Sequence, residues 1–270
     1  ILIYILSVGL SCLKWRLLLQ SQGHNVAFPT LMHWYLLGAF AGTFLPSSIG
    51  GDIGRSYIAG RGIGSQADAL MSIFAERVTG LIAMLALAAI TLAIVPEILN
   101  MPAFVPFGLL VLMILSGAIA ILLIRYQPVW LPTYLRKLFG YISNTFQQYR
   151  AQPSTLIFAM LISLFFHGLT AVSLWIACLS VTPSAPASTA LVAPLIGLTG
   201  IIPLTPGSLG IREGALAYLL QHNGLSLDQA VAVALITRAL LFISALAGMP
   251  GFFIEMHGRT RKVPKNIPSK

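Results

Sequence analysis

The sequence predicts an all-α fold: a polytopic membrane helical bundle with two opposed re-entrant helical hairpins in an inverted-repeat arrangement. Three observations lead there. First, the 270 residues have a mean hydropathy of +0.88 and only 9% charged residues, against roughly 25% in soluble domains. Several apolar runs exceed the ~18 residues that mark a bilayer-crossing helix. Second, one motif occurs twice, each time where an apolar run breaks. Its copies are Phe44-Leu45-Pro46-Ser47-Ser48-Ile49-Gly50-Gly51-Asp52-Ile53-Gly54-Arg55 and Ile202-Pro203-Leu204-Thr205-Pro206-Gly207-Ser208-Leu209-Gly210-Ile211-Arg212-Glu213. Paired, interrupted segments in two halves of a membrane protein point to a binding site between repeats. Third, charge is one-sided. Lys14, Arg16, Arg61, Arg125, Arg136, Lys137, Arg150 and the basic C-terminal tail fall at one set of helix ends, whereas the opposite turns carry Glu97 and no lysine or arginine. That is the positive-inside pattern, and it makes the basic ends cytoplasmic.

In chain order, residues 1–20 form a spanning helix or the remainder of one. The chain begins at Ile1, already inside an apolar run, so an initiating segment is expected to precede it. An apolar arm over 29–45 and a shorter one over 53–60 flank the first glycine-rich break. Residues 68–95 make a long helix to the outside, stopped by Pro96, and 103–126 return. Residues 127–152 carry Trp130, Tyr134, Phe139, Tyr141 and Phe146 among bases and no acid, the composition of an interfacial amphipathic elbow. Residues 154–180 cross outward, 187–202 and 211–221 flank the second break, and 228–256 come back. The domain division is a single integral membrane domain over 1–257, with pseudo-repeats at about 1–126 and 127–257, and a basic cytoplasmic tail at 258–270.

Counting sides gives the topology. The helix before the first break ends inside and the helix after it starts inside, so the broken pair enters and leaves from the cytoplasm. The second pair begins and ends at outside turns. Two full crossings per pair preserve the same parity, but the short second arms favour re-entrance.

Backbone that leaves helical form within a bilayer is tolerated only where protein or a water-filled cavity satisfies its polar groups. Gly50, Gly51, Gly54, Gly207 and Gly210 permit tight turns and close approach, while Pro46, Pro203 and Pro206 end the preceding arms. Each second arm then offers a positive helix start to an anion. Arg55 and Arg212 are expected at those starts, where a guanidinium can grip phosphate through two parallel hydrogen bonds. The competing reading is a plain surface loop between helices.

Charged residues also lie deep in the apolar runs. Glu76 and Arg77 fall roughly 12 Å into their helix and Arg238 about 15 Å into its own; such charges usually face a cavity or a partner. They could be neutralising pairs that lock the bundle, for instance Asp52 with Arg77 and Glu213 with Arg238. The inventory, however, does not balance. Asp52, Glu76 and Glu213 face Arg55, Arg77, Arg212 and Arg238, and the surplus positive charge favours an anionic ligand.

Other chemistry lacks support. Cys12 and Cys178 lie far apart in apolar runs and read as buried hydrophobes. His167 in mid-helix reads as a packing histidine rather than a proton shuttle, and the tryptophans read as interface or packing residues. No HExxH, CxxC, P-loop or GxSxG sequence occurs, so zinc, nucleotide and serine-esterase chemistry have no motif. No metal site, cofactor or catalytic residue is expected, and the net charge of +9 is placed for a membrane surface rather than for nucleic acid.

The first motif with Ala75-Glu76-Arg77, and the run from Pro203 to Gly214 with the later Arg238, resemble the two signatures of the lysylphosphatidylglycerol synthase transmembrane-region family. Ser208 departs from the glycine common in that family at its position. The resemblance implies a lipid translocase of a bacterial or archaeal cytoplasmic membrane, with the C-terminus cytoplasmic. The residues carried over are Asp52, Arg55, Glu76, Arg77, Arg212, Glu213 and Arg238. Arg55, Arg212 and Arg238 would contact phosphate, and the carboxylates would balance them, bind a cationic headgroup or relay protons. The expected ligand is an anionic or phosphate-containing lipid, including aminoacylated and polyprenyl forms, moved by alternating access without enzymatic turnover. The expected partners are that lipid, the anionic membrane surface, and a second copy or a lipid-modifying enzyme. The alternatives are a membrane component or enzyme of lipid-linked sugar transfer, although no DxD pair occurs, and a membrane scaffold.

Overall fold

Capping residues and apolar runs cut the chain into helices that a computed structural model describes over residues 2–44, 48–95, 132–199 and 205–251. The described residues form nine α-helices. They are α1 (Leu2–Ser21), α2 (Phe28–Phe44), α3 (Ser48–Ile63), α4 (Gln66–Ile94), α5 (Thr133–Arg150), α6 (Pro153–Val181), α7 (Val192–Thr199), α8 (Ile211–His222) and α9 (Leu227–Leu246). A 3₁₀ turn, Ala187–Leu191, leads into α7, and another, Pro206–Ser208, precedes α8. Four helices, α1, α4, α6 and α9 with its continuation to Gly251, are long and apolar enough to cross a membrane. The expected return helix at 103–126, together with Glu97, Arg125 and Trp130, lies outside the described residues, as do the tail 258–270 and the end of the last crossing.

The helix starts follow local chemistry. Ser65 caps α4 by accepting the Asp68 N–H at 3.3 Å. Ser226 caps α9 reciprocally: it accepts from the Gln229 N–H at 3.4 Å, while its own N–H donates to Gln229 Oε1 at 3.0 Å, which is a capping box. Pro153 opens α6 at a position where the missing N–H costs no helical bond. Residues Ile157, Phe158, Leu161 and Phe165 of α6 remain exposed, a face suited to acyl chains rather than water.

Besides a small cluster of Leu18, Tyr149 and Ala159, two larger apolar cores form at opposite ends of the bundle. One gathers Trp15, Leu19, Leu31, Trp34, Ala59, Ala69 and Ile73, from the end of α1, the start of α2, the end of α3 and the start of α4. The other gathers Ala88, Cys178, Val192, Leu220 and Val233 with their neighbours, from the ends of α4, α6 and α8 and the starts of α7 and α9. The polar side chains of the two motifs lie between these cores.

The first break differs from its sequence expectation. Helix α3 is already under way at Ser48, and Gly50, Gly51 and Gly54 are helical rather than turn-forming. Consequently Arg55 stands about two turns into α3 rather than at its start. The second arm is also longer than the expected 53–60, because nothing in the Gly50–Gly54 run forbids helix once close packing compensates the flexibility of glycine. Gly51 supplies that packing: an added Cβ would lie 2.4 Å from the Gly38 carbonyl oxygen and 2.8 Å from Gly42 Cα. At the second break the expectation holds, with Gly207 at φ 57° and Gly210 at φ 80°. Pro206 opens the 3₁₀ turn there, while Pro46 and Pro203 lie outside the described residues.

Candidate functional site

The two arginines of the long helices stand at the same distance along them. Arg77 on α4 and Arg238 on α9 each lie about 16 Å from their helix start, about half of a ~30 Å hydrocarbon layer. Each holds a carboxylate from the motif that precedes it. Arg77 grips Asp52 in a fork, Nε to Oδ2 at 2.7 Å and Nη2 to Oδ1 at 3.0 Å. Arg238 Nε donates to Glu213 Oε1. Both pairs are separated by 25 residues, and the capping serines Ser65 and Ser226 stand at equal distances before their arginines.

This spacing sets a register that the motif match misses. Arg55 lies three residues after Asp52, whereas Arg212 lies just before Glu213. Aligned by their ion pairs, Arg55 and Arg212 are not counterparts, and their surroundings differ accordingly. Arg55 is only 3% exposed. Its Nη2 donates to Glu76 Oε2 at 2.8 Å and to Asp52 Oδ1 at 3.3 Å, and its guanidinium lies 4.5 Å from the Trp15 ring centre and 4.8 Å from that of Tyr35. Desolvated cation–π contacts of this kind are worth about 2 kcal/mol, and stripping a buried cation of its carboxylate costs about 3–5 kcal/mol. Arg55 is therefore built in, with its buried Nε–H as an unpaired donor among the described residues.

Arg238 is committed as well. Besides Glu213, it donates through Nη1 to the Gly207 carbonyl at 3.0 Å and through Nη2 to the Ser208 carbonyl at 3.1 Å. It thus straps the left-handed turn that those residues form. Glu213 is shared in the same way, since its Oε2 accepts the Gly210 N–H at 2.7 Å. Arg212 alone of the four arginines has no ion pair or hydrogen bond with any described residue.

Five of the seven expected site residues converge on one cavity of about 270 Å³: Asp52, Arg55, Arg77, Arg212 and Arg238 line it. Gly207 and Ser208 of the second turn also reach it, and Gly38, Gly42 and Thr43 of α2 form its opposite wall. Glu76 and Glu213 stand behind it, paired with Arg55 and Arg238. The Arg77 side chain is 59% exposed, so it presents its charge to the open space despite its pairing. The pairings Asp52–Arg77 and Glu213–Arg238 are those weighed from sequence, and the surplus cation is now a specific residue, Arg212.

Other buried side chains surround the site, and Lys14 departs from its expected place. Lys14, read as a cytoplasmic helix-end residue, is buried. Its Nζ donates to the Glu76 carbonyl at 3.0 Å and to Ser163 Oγ at 3.1 Å, tying α1 to α4 and α6. Lys14 lies about two turns before α1 ends, so its stem follows the apolar interior rather than reaching the helix end. Trp15 is fully buried and donates to Ser72 Oγ at 2.9 Å, which is a packing role. His167 bonds the Gly80 carbonyl at 3.1 Å, also as a packing residue. The small residues of α2 carried a readable signal, the Gly38-Ala39-Phe40-Ala41-Gly42 run, whose small-xxx-small spacing lets helices approach closely. No group of three or more potential metal ligands occurs among the described residues.

Comparison with known proteins places these residues in context. The family described as "Lysylphosphatidylglycerol synthase TM region" matches residues 1–248. A UPF0104 membrane protein of Methanothermobacter thermautotrophicus (strain Delta H) is 25% identical over 264 residues, covering 86% of this chain and 75% of the relative. No solved structure matches the chain.

Proposed function

The chain belongs to the lysylphosphatidylglycerol synthase transmembrane-region family, and from that membership we propose that it is a lipid flippase, moving a phosphate-bearing lipid between leaflets rather than transforming it. One observation carries the reading. Both motif copies, distant in sequence, deliver arginines to a single cavity in which one cation, Arg212, has no ion pair or hydrogen bond among the described residues. An unpaired guanidinium inside a membrane is expensive, and a phosphate passing through the cavity would relieve the cost. The headgroup would occupy the cavity while the tails stay in lipid along the exposed apolar faces.

In this proposal the pairs α2–α3 and α7–α8 are opposed re-entrant hairpins related by inverted topology, and transport proceeds by rocking one repeat against the other. The equal spacing of the two ion pairs and the placement of the two cores at opposite ends support that arrangement. The basic helix ends and the C-terminus are cytoplasmic, in a bacterial or archaeal cytoplasmic membrane. Arg212 makes the primary phosphate contact, Arg55 and Arg77 line the path, and Arg238 holds the turn that presents Arg212.

Reconstitution tests the assignment. Arg212→Ala should abolish lipid movement in proteoliposomes while the protein stays monodisperse and folded. Undiminished translocation by that variant would remove the phosphate-binding role.

A further inference from the structure

Before Lys14, the hydroxyls of α1 are those of Tyr4, Ser7 and Ser11. With Lys14 they follow helical steps of three, four and three residues, which puts all four on one face within an arc of about 80°. Ser7, Ser11 and Lys14 are buried, and Tyr4 reaches the cavity. Ser11 also stands beside the hydroxyl of Tyr35 on α2, a second cavity residue. One face of α1 is thus a row of hydroxyls leading from the cavity to a buried amine. Neighbours on such a row lie about 5–6 Å apart at Cβ, a gap that one bridging water spans. Each hydroxyl can both donate and accept.

The amine at the end of this row has only neutral acceptors. Its Nζ donates to the Glu76 carbonyl at 3.0 Å and to Ser163 Oγ at 3.1 Å. The charged and titratable groups that face it are Arg55 of α3, Glu76 and Arg77 of α4, and His167 of α6. The carboxylates are committed elsewhere: Glu76 to Arg55, Asp52 to Arg77 and Glu213 to Arg238. Lys14 itself has no ion pair among the described residues. Ionisable groups at membrane depth mark ion and proton pathways, and a buried lysine, unlike an arginine, can exchange its proton.

From this row and its amine we infer that Lys14 is a proton-binding site that couples lipid movement to the proton gradient across the membrane. The inference rests on the flippase reading and supplies its energy source. While the cavity faces one side, a proton from cavity water passes along the hydroxyls and forms an N–H bond with the Nζ lone pair. Once the cavity faces the other side, that bond breaks and the proton returns along the same row to the water there. One path suffices because the cavity itself changes sides. Protonation also sets how firmly α1 holds α4 and α6, since charge-assisted hydrogen bonds are about twice as strong as neutral ones. The ammonium therefore clamps the Glu76 carbonyl and Ser163, and the neutral amine loosens them. Glu76 joins the two sites, with its carbonyl on Lys14 and its carboxylate on Arg55 of the cavity wall.

The test uses the purified full chain in phosphatidylcholine vesicles, with phosphatidylglycerol tagged on an acyl chain as the probe and the electrical potential clamped. A pH difference of about one unit should shift the leaflet ratio of the probe by as much as about tenfold over protein-free vesicles, equal to about 1.4 kcal/mol for one proton per lipid. Lys14→Met and Lys14→Arg should each lose this response, and His167→Gln should keep it. A merely structural cation predicts that arginine replaces lysine, so a full response by Lys14→Arg would overturn the proton site. Loss of the response in His167→Gln alone would overturn the assignment to Lys14. Movement of the probe by the wild type that ignores the gradient would overturn the coupling and leave the flippase reading standing.

Absence of probe movement would count against the flippase reading, and a titration then decides the proton site separately. The chain has five lysines. With Lys137, Lys262, Lys265 and Lys270 replaced by arginine, isotope-labelled lysine gives the magnetic resonance signal of Lys14 by itself, and Lys14 stays unaltered. That signal should change as the pH crosses neutrality. A signal that stays constant from acid to alkaline solution would overturn the proton role.

Discussion

At Ser208 the backbone takes φ 56°, a left-handed conformation shared with Gly207 beside it. A side chain there costs about 1–2 kcal/mol, and Arg238 meets that cost by binding the carbonyls of both residues. The departure from glycine noticed in the sequence is thus a point of stored strain. Ser208→Gly should relieve it, less the roughly 0.5–1 kcal/mol that glycine's added freedom takes back. The expected gain, about 0.5–1 kcal/mol, would appear as a higher unfolding temperature in detergent; a lower one would mean that the Ser208 side chain supports the turn. The same scale separates the arginines. Arg55 is locked between two rings and two carboxylates, Arg77 and Arg238 are each tied to one carboxylate, and Arg212 has neither ion pair nor hydrogen bond among the described residues.

At the scale of elements, the decisive contact is the close approach of α2 and α3. Gly51 and Gly54 look alike in the motif, but the fold separates them. A Cβ on Gly51 would run into the backbone of Gly38 and Gly42, while one on Gly54 would meet nothing within 4 Å. Gly51→Ala should therefore pry the hairpin apart, with a loss of about 1–3 kcal/mol from overpacking. Gly54→Ala should gain about 0.5–1 kcal/mol as an ordinary helix-interior replacement. Unfolding of both variants in parallel checks the pair, and equal effects would refute the packing account. The end of α9 closes on α2 in a similar way, since a Cβ on Gly248 would lie 2.0 Å from the Leu36 carbonyl oxygen.

For the whole molecule, the proposed inverted arrangement makes a prediction about sides. Asn25, in the α1–α2 turn, and Gln221, near the end of α8, are both exposed, and the native cysteines Cys12 and Cys178 are buried. A membrane-impermeant maleimide applied to intact cells should label Gln221→Cys and spare Asn25→Cys until the cells are broken. Labelling of both from one side would exclude opposed hairpins. Reversed labelling would keep them and invert the assigned orientation.

Much of this protein was legible in its chain. Apolar run length marked α1, α4, α6 and α9, and a count of acids against arginines showed an odd cation. These are local or additive properties, so order along the chain suffices to read them. The identity of the free arginine was not legible. Motif spacing pairs Arg55 with Arg212, and only packing reveals that Trp15, Tyr35 and Glu76 enclose the first while the second has no partner among the described residues. Lys14 was misread for the same reason, because a long side chain inside a bundle is solvated by whichever helices surround it. The sequence alone determined that a charge imbalance exists; the tertiary structure decided where it lies, because a charge is neutralised by what is near it in space and not by what is near it in sequence.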